Sequence, residues 1–267
     1  MQRHNFQRDN LTLSYLDAGG EGNPLVALHS HWLEARTFEP LALALAPQWR
    51  VIALDQRGHG YSDHARSYTR QDYLEDLASL FTHLRIGQGV LLGNSLGGVN
   101  AYQFAARHPE MVRALVIEDI GVEIGDDTSF ALAWSGTFAT REELEELIGA
   151  RFLPYLLDSF RRTESGWRLA FDPQDMVASQ THVNGNHWQD WLASRCPALL
   201  LRGSRSRVTS QEHVEQMATR RPNTQLQCID GGHVIHQDNP MEFAAAVRTF
   251  LANLPTGDTY WWLCGRP

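Results

Sequence analysis

Short apolar runs alternate with helical patterns along most of the chain, and this alternation constrains the fold more than any other feature. The runs at 25–28 and 198–201 contain no polar residue and show no period-two alternation. Such runs are typical of parallel strands that are covered on both faces. Their alternation with helices predicts an α/β fold with a doubly wound, mostly parallel sheet. The runs that we assign to this sheet lie at 25–28, 51–54, 89–92, 115–117, 198–201 and 226–229.

The alternation of apolar runs and helical patterns stops in the middle of the chain. Helical patterns occur at 141–150 and 152–160, but we find no convincing strand there. The stretch is too long for an ordinary connection between a strand and a helix. We therefore expect a helical cap inserted at 121–195, a core formed by 1–120 and 196–254, and a C-terminal tail at 255–267. Trp261 and Trp262 are the residues that could dock this tail.

Composition excludes several classes of protein. All 23 basic side chains are arginines, so chemistry that needs a lysine, such as a Schiff base or a Walker A loop, is absent. The net charge of −8 disfavours nucleic acid and anionic membranes as partners. Three scattered cysteines and a start without an apolar run favour a reducing, cytoplasmic location. We expect a monomer or homodimer that acts on a small molecule and needs no cofactor.

One motif carries chemistry. Gly-Asn-Ser-Leu-Gly at 93–97 matches G-x-S-x-G, with an apolar run before it and a helical pattern after it. A strand that turns directly into a helix strains the backbone of the middle residue, and small neighbours allow the turn to close. The strained turn projects the serine hydroxyl outward, and the helix N-terminus favours negative charge beside it. The motif predicts Ser95 as a nucleophile.

A serine nucleophile needs a base, and the chain contains twelve histidines. His233 directly follows the last apolar run. Loops at the carboxyl ends of parallel strands share one edge of the sheet, so the His233 loop and the Ser95 turn should meet. His236, three residues later, is expected to pack or to meet solvent. His233 is therefore the predicted base.

Over residues 10–252 the chain resembles an α/β-hydrolase with a helical cap. This resemblance implies the order nucleophile, acid, base along the chain, with Ser95 as nucleophile and His233 as base. It also implies an oxyanion hole made by the backbone N–H groups of Leu96 and His31, with Ser30 where the family usually has glycine. The matching segments are 29–32, 55–62, 93–98, 201–203, 231–233 and 238–240.

The third member of the triad departs from the usual family pattern. Most such enzymes have an aspartate in the loop after the run at 198–201, and here Arg207 occupies the position where we expect it. Some relatives take the acid from the end of the strand that follows the nucleophile helix. Asp119 lies at that point, 24 positions after Ser95, and is our predicted acid. Glu118, whose side chain should point to the opposite face, and Glu212 are the alternatives.

Two other motifs have a structural interpretation. In the turn at 55–60, the glycines shape the loop, and Asp55 and Arg57 are expected to pair with each other. His29 and His31 could be read as a zinc pair, but residues 32–34 supply no further set of ligands, so we expect no metal site.

The predicted activity is that of a serine hydrolase acting on a small carboxylic ester or lactone. Alternatives are a C–C bond hydrolase of an activated ketone at the same triad, and a weakly catalytic binding protein on the hydrolase fold. Tryptophans could line an apolar pocket and an arginine could bind a substrate carboxylate, although most arginines of the cap are expected to pair at the surface. The candidate substrate-binding residues are Trp32, Trp134, Arg162, Trp188 and Arg207.

Overall fold

An eight-stranded sheet organises the computed structural model, which describes residues 1–255. Its strand order is β1-β2-β4-β3-β5-β6-β11-β12, and every pair from β4 to β12 is parallel. This confirms the predicted fold class. The strands are β1 (Gln2–Arg8), β2 (Leu11–Asp17), β3 (Asn23–Leu28), β4 (Trp49–Asp55), β5 (Gly89–Asn94), β6 (Val112–Glu118), β7 (Glu123–Ile124), β8 (Phe160–Thr163), β9 (Gly166–Leu169), β10 (Gly185–Asn186), β11 (Ala198–Gly203) and β12 (Thr224–Ile229).

Helices cover both faces of this sheet, which explains why its central strands lack alternation. On β5, Val90 and Leu92 belong to one apolar cluster, with α1 and α10, while Leu91 belongs to another, with α2 and α3. The helices are α1 (Glu39–Leu45), α2 (Arg70–Leu84), α3 (Leu96–Arg107), α4 (Arg141–Ile148), α5 (Leu153–Leu156), α6 (Pro173–Val183), α7 (Trp188–Ala193), α8 (Gln211–Arg220), α9 (Ile235–Asp238) and α10 (Pro240–Ala252).

The antiparallel edge of the sheet contains a strand that the sequence pattern did not indicate. Strand β1 pairs with β2, and of its seven residues only Phe6 is buried. An edge strand with one buried side chain has no apolar run to mark it. At the opposite end of the chain, Trp261 and Trp262 lie outside the described residues.

The sequence predicted a helical insertion at 121–195, but the structure of this segment also contains strands. It contains two two-stranded antiparallel sheets, β7 with β10 and β8 with β9, and Phe160 begins a strand where a helix was expected. Strands of two to four residues are too short to produce a periodic signal. β8 and β9 pair as a local hairpin, whereas β7 and β10 come from distant parts of the segment. Sequence periodicity reports neither pairing.

A third apolar cluster joins this segment to the carboxyl edge of the sheet. Trp134, Leu144 and Phe171 of the segment pack in it together with Leu33 and Val234, which follow β3 and β12. The segment therefore lies over the loops that contain His31 and His233. No helix among residues 1–255 has the length and apolar character needed to cross a bilayer.

Candidate active site

Ser95 lies at a strained turn between β5 and α3. Its φ of 52° and ψ of −115° are rare for a residue with a side chain. A Cβ added at Gly97 would lie 2.1 Å from the Leu28 carbonyl oxygen, and one at Gly93 would lie 2.2 Å from the Gly97 carbonyl oxygen. Only glycine therefore fits at both positions. The serine is partly exposed at the first turn of α3, where the helix dipole favours negative charge.

Substituting Gly97 by alanine should destabilise the protein strongly. The added methyl group would meet the backbone of Leu28, which cannot rotate away as a side chain can. We expect the free energy of unfolding in urea to fall by about 3 kcal/mol. Gly87→Ala is the control, because a Cβ at Gly87 meets no atom within 4 Å. Equal stabilities for the two variants would contradict this account of the turn.

His233 contacts Asp119 directly. Its Nδ1 lies 2.8 Å from Asp119 Oδ2, and the carboxylate is buried while about 30% of the His233 side chain is exposed. Asp119 Oδ1 also accepts from the Gly203 N–H at 3.0 Å, and Oδ2 accepts from the Ser206 hydroxyl. Because a carboxylate accepts, the His233 proton belongs on Nδ1, which leaves Nε2 with a lone pair.

Asn94 ties the serine turn to the residue before Asp119 and to His233. Its side-chain amide donates to the Glu118 carbonyl at 3.2 Å and to the His233 carbonyl at 3.0 Å. The Ser95 N–H donates to the same Glu118 carbonyl at 3.1 Å. The turn at Ser95, the end of β6 and the loop after β12 are therefore held together at one edge of the sheet. The sequence motif gave no signal for this role of Asn94.

The loop after β11 requires a correction. Arg207 is exposed, and it is the buried Ser206 that contacts the Asp119 carboxylate. The residue of this loop that faces the Asp119 carboxylate is therefore Ser206, one residue before Arg207, and its N–H closes a turn to the Gly203 carbonyl. Glu212 is exposed on α8, where it accepts a hydrogen bond from Gln216.

Glu118 is engaged on the other face of β6. Both of its carboxylate oxygens contact His236 Nδ1, at 2.7 and 3.0 Å, and the His236 backbone N–H donates to it at 2.9 Å. His236 Nε2 lies 2.7 Å from the Thr37 hydroxyl. His236 is therefore buried in a pair of its own and does not meet solvent. The adjacent carboxylates Glu118 and Asp119 serve two different histidines.

The loop that contains His31 follows Leu28 of β3, which pairs with Gly93 just before the Ser95 turn. Among residues 1–255, neither the His31 nor the Leu96 backbone N–H donates a hydrogen bond. The His31 ring is buried, its Nε2 lies 2.9 Å from the Ser179 hydroxyl of α6, and burial holds its pKa well below 6.5. Both N–H groups thus lack a partner in the described part of the chain, which is one requirement for donors of an oxyanion hole.

The His29 ring contacts only backbone groups through its two nitrogens. Its Nδ1 lies 2.7 Å from the Ser30 carbonyl, its Nε2 accepts from the Gln56 N–H at 3.0 Å, and burial lowers its pKa to about 3. Both ring nitrogens are therefore used. Among residues 1–255, no group of three or more His, Cys, Asp or Glu side chains is placed to hold a metal ion.

The expected pairing of Asp55 with Arg57 is wrong. Asp55 accepts hydrogen bonds from Arg3 and from the Ala35 N–H, whereas Arg57 forms a two-pronged contact with Asp76 on α2, at 2.7 and 2.8 Å. Both side chains therefore bind partners from other parts of the chain and not each other.

The five candidate substrate-binding residues lie in three different environments. Trp32, which directly follows His31 in the sequence, packs edge to face against Trp134 in an aromatic cluster, with 5.5 Å between the ring centres. Trp188 instead donates to Glu123 and lies under Arg220, with 3.7 Å from Cζ to the ring centre. Arg162 and Arg207 are exposed, and the side chain of neither residue forms a hydrogen bond or an ion pair among residues 1–255. The structure does not gather all five candidates at Ser95.

Comparisons with known proteins agree with this architecture. The model of the alpha/beta hydrolase family matches residues 25–246. The 2-(acetamidomethylene)succinate hydrolase of Mesorhizobium japonicum is 28% identical over 247 residues, covering 87% of this chain and 89% of the relative. The sn-1-specific diacylglycerol lipase ABHD11 of Danio rerio is 28% identical over 274 residues, covering 91% of this chain and 82% of the relative.

A solved structure of a named hydrolase has a similar fold. The crystal structure of E-2-(acetamidomethylene)succinate hydrolase has a TM-score of 0.82 and 25% identity, covering 93% of this chain and 100% of that one. These relatives are hydrolases by name. The family model covers well over half of the chain, so this protein belongs to the alpha/beta hydrolase family.

Proposed function

We propose that this protein is a serine hydrolase that cleaves a small carboxylic ester or lactone through an acyl-enzyme on Ser95. His233 is the general base and Asp119 is the acid that orients it. The 2.8 Å contact between His233 Nδ1 and Asp119 Oδ2 carries this proposal, since it fixes the His233 tautomer that leaves Nε2 free to accept a proton.

In the proposed reaction, His233 Nε2 takes the Ser95 hydroxyl proton as Oγ attacks the substrate carbonyl. The backbone N–H groups of Leu96 and His31 bind the negative oxygen of the tetrahedral intermediate. The imidazolium then gives its proton to the leaving alcohol, and the acyl-enzyme forms. Water attacks this ester with His233 again as base, and its proton returns to the Ser95 oxygen as the acid leaves.

The 121–195 segment is proposed as the cap that shapes the substrate pocket. Its apolar cluster includes Leu33 and Val234, each within two residues of a proposed site residue. Trp32 has a φ of 71° and packs partly buried against the same cluster, and its indole Nε1 is buried without a partner among residues 1–255. We propose that Trp32 and Trp134 contact the substrate.

Hydrolysis of p-nitrophenyl acetate, butyrate and octanoate, and of a small lactone, tests this activity. We expect turnover of the shorter esters, since a pocket closed by a cap limits acyl length. Cleavage of an activated ketone without cleavage of any ester would favour the C–C hydrolase alternative. Absence of turnover on all of these substrates would favour a binding protein on the hydrolase fold.

A further inference from the structure

Arg70, the first residue of α2, has a buried positive charge without a matching negative one. Its Nε donates to Gln103 Oε1 at 2.9 Å and its Nη2 donates to Asn100 Oδ1, both neutral amide oxygens on α3. Its Nη1 is buried and has no partner among residues 1–255. Burying a guanidinium without a counter-charge is costly unless an anion binds it.

Other buried arginines of the described chain are satisfied. Arg57 has the two-pronged contact with Asp76, and it lies 3.2 Å from Asp72. All three side-chain nitrogens of Arg221 have oxygen partners. Gln103 stands between Arg70 and the carboxylate of Asp190, to which its amide donates at 2.8 Å. Arg3 also has a buried Nη2 without a partner among residues 1–255, but Arg3 pairs with Asp55. Arg70 differs because, among the described residues, its guanidinium combines an unpartnered Nη1 with hydrogen bonds to amide oxygens alone. Burial lowers the pKa of Arg70 only to about 10, so it is charged at neutral pH.

The guanidinium lies on the same side of the protein as the proposed oxyanion hole. Its Cζ is 5.4 Å from the centre of the Tyr73 ring. The Tyr73 hydroxyl lies 2.9 Å from the Ser179 hydroxyl, which in turn contacts the His31 ring. Besides burial, the positive charge of Arg70 contributes to the low pKa of His31.

Helix α3, which starts directly after Ser95, also carries a hydrogen-bond partner of the Arg70 guanidinium. Asn100, the partner of Arg70 Nη2, lies five residues after Ser95, or about 7.5 Å along the axis of α3. Its amide also donates to Gln56 Oε1, and the Gln56 side chain donates to the His29 carbonyl. Arg70 is thus joined to the loop after β3 by a continuous set of amide hydrogen bonds.

We propose that Arg70 binds a carboxylate of the substrate, so that the preferred substrates are short esters or lactones that carry a second, free carboxylate. The inference rests on the proposed hydrolase function and names its substrate class. Nη1 and Nη2 together present the planar fork that a carboxylate accepts with both oxygens. This half-buried arginine, whose Nη1 is buried, replaces the exposed Arg162 and Arg207 as the carboxylate-binding residue.

Matched esters test the proposal. Monomethyl and dimethyl esters of succinic, glutaric and adipic acids differ in one negative charge at the far end of the same acyl chain. We expect the wild-type protein to prefer at least one monomethyl ester. Arg70→Gln should lower kcat/KM for that ester by at least about 30-fold, mainly through KM, because the charge pair is lost. It should change kcat/KM for the dimethyl ester by no more than about threefold.

Control variants separate a binding role from a structural one. Arg66→Gln removes an exposed charge from the loop before α2 and should leave the preference intact. Arg70→Lys keeps the charge but loses the fork, and should restore part of the preference. Equal losses on both esters in Arg70→Gln, no preference in the wild type, or loss of the preference in Arg162→Gln or Arg207→Gln instead would overturn the proposal.

Binding without turnover separates this inference from the proposed function. Glutarate and adipate are titrated calorimetrically into Ser95→Ala and into Ser95→Ala with Arg70→Gln. At least about 30-fold weaker binding to the double variant supports the carboxylate site even if no ester is cleaved. Equal affinity, or no binding to either variant, would refute it even if Ser95-dependent ester hydrolysis is found.

Discussion

Ser95→Ala is expected to lower kcat by about 10⁵- to 10⁶-fold on any ester that the wild-type protein hydrolyses. Alanine has no oxygen to form the acyl-enzyme, and the remaining groups can only orient water and stabilise the oxyanion. The loss should fall on kcat, because the hydroxyl contributes mostly to the reaction and little to substrate binding. Steady-state kinetics on a p-nitrophenyl ester measures the effect.

Ser204→Ala is the matched control for this result. Ser204 is an exposed serine of the loop after β11 that contacts Asp230, and its loss should leave kcat unchanged. Circular dichroism of both variants checks that the fold is intact. If Ser95→Ala retained more than a small fraction of the wild-type kcat, hydrolysis would not proceed through a covalent intermediate at this residue.

Asp119→Asn should lower kcat by about 10⁴-fold, as loss of the orienting carboxylate does in other triads. Because the Gly203 N–H donates to Oδ1, an asparagine would keep its oxygen there and turn its NH₂ toward His233. That NH₂ group is a donor, so His233 would need its lone pair on Nδ1 and its proton on Nε2. Such a tautomer cannot accept the Ser95 proton.

The alternative carboxylates provide the comparison for Asp119→Asn. Glu212→Gln changes an exposed residue and should have no effect on kcat. Ser206→Ala removes a donor to Asp119 but leaves the carboxylate, so we expect a smaller loss than in Asp119→Asn. Near-full activity in Asp119→Asn, together with a large loss in Glu212→Gln, would assign the acid to Glu212 instead.

Local patterns explain what the sequence could predict. The alternation of strands and helices predicted the fold class correctly, because a parallel strand that is buried on both faces consists of a continuous apolar run. The turn at Ser95 depends on the glycines beside it in the chain, so its backbone geometry was predictable as well. The resemblance to the hydrolase family, in which some relatives take the acid from the end of this strand, led to Asp119, and Asp119 does contact His233. Their catalytic roles stay predictions.

Side-chain partners from distant segments explain what the sequence could not predict. The partners of Arg57 and Asp55 lie on α2 and β1, and nothing in the 55–60 segment indicates them. Ser206 was overlooked in favour of Arg207 because a one-residue difference in a loop reverses which side chain faces inward. Arg70 gave no signal either, since its unusual feature is the lack of a counter-charge, which only the folded arrangement shows.

Peptide mass spectrometry after treatment with a fluorophosphonate probe is the most direct test of the central claim, that a base-activated Ser95 is the nucleophile. The account predicts a single covalent adduct, located on Ser95, which is absent in Ser95→Ala and forms far more slowly in His233→Ala because no base removes the proton. An unlabelled Ser95 in a preparation that hydrolyses esters, or an adduct on another serine that persists in Ser95→Ala, would contradict the account.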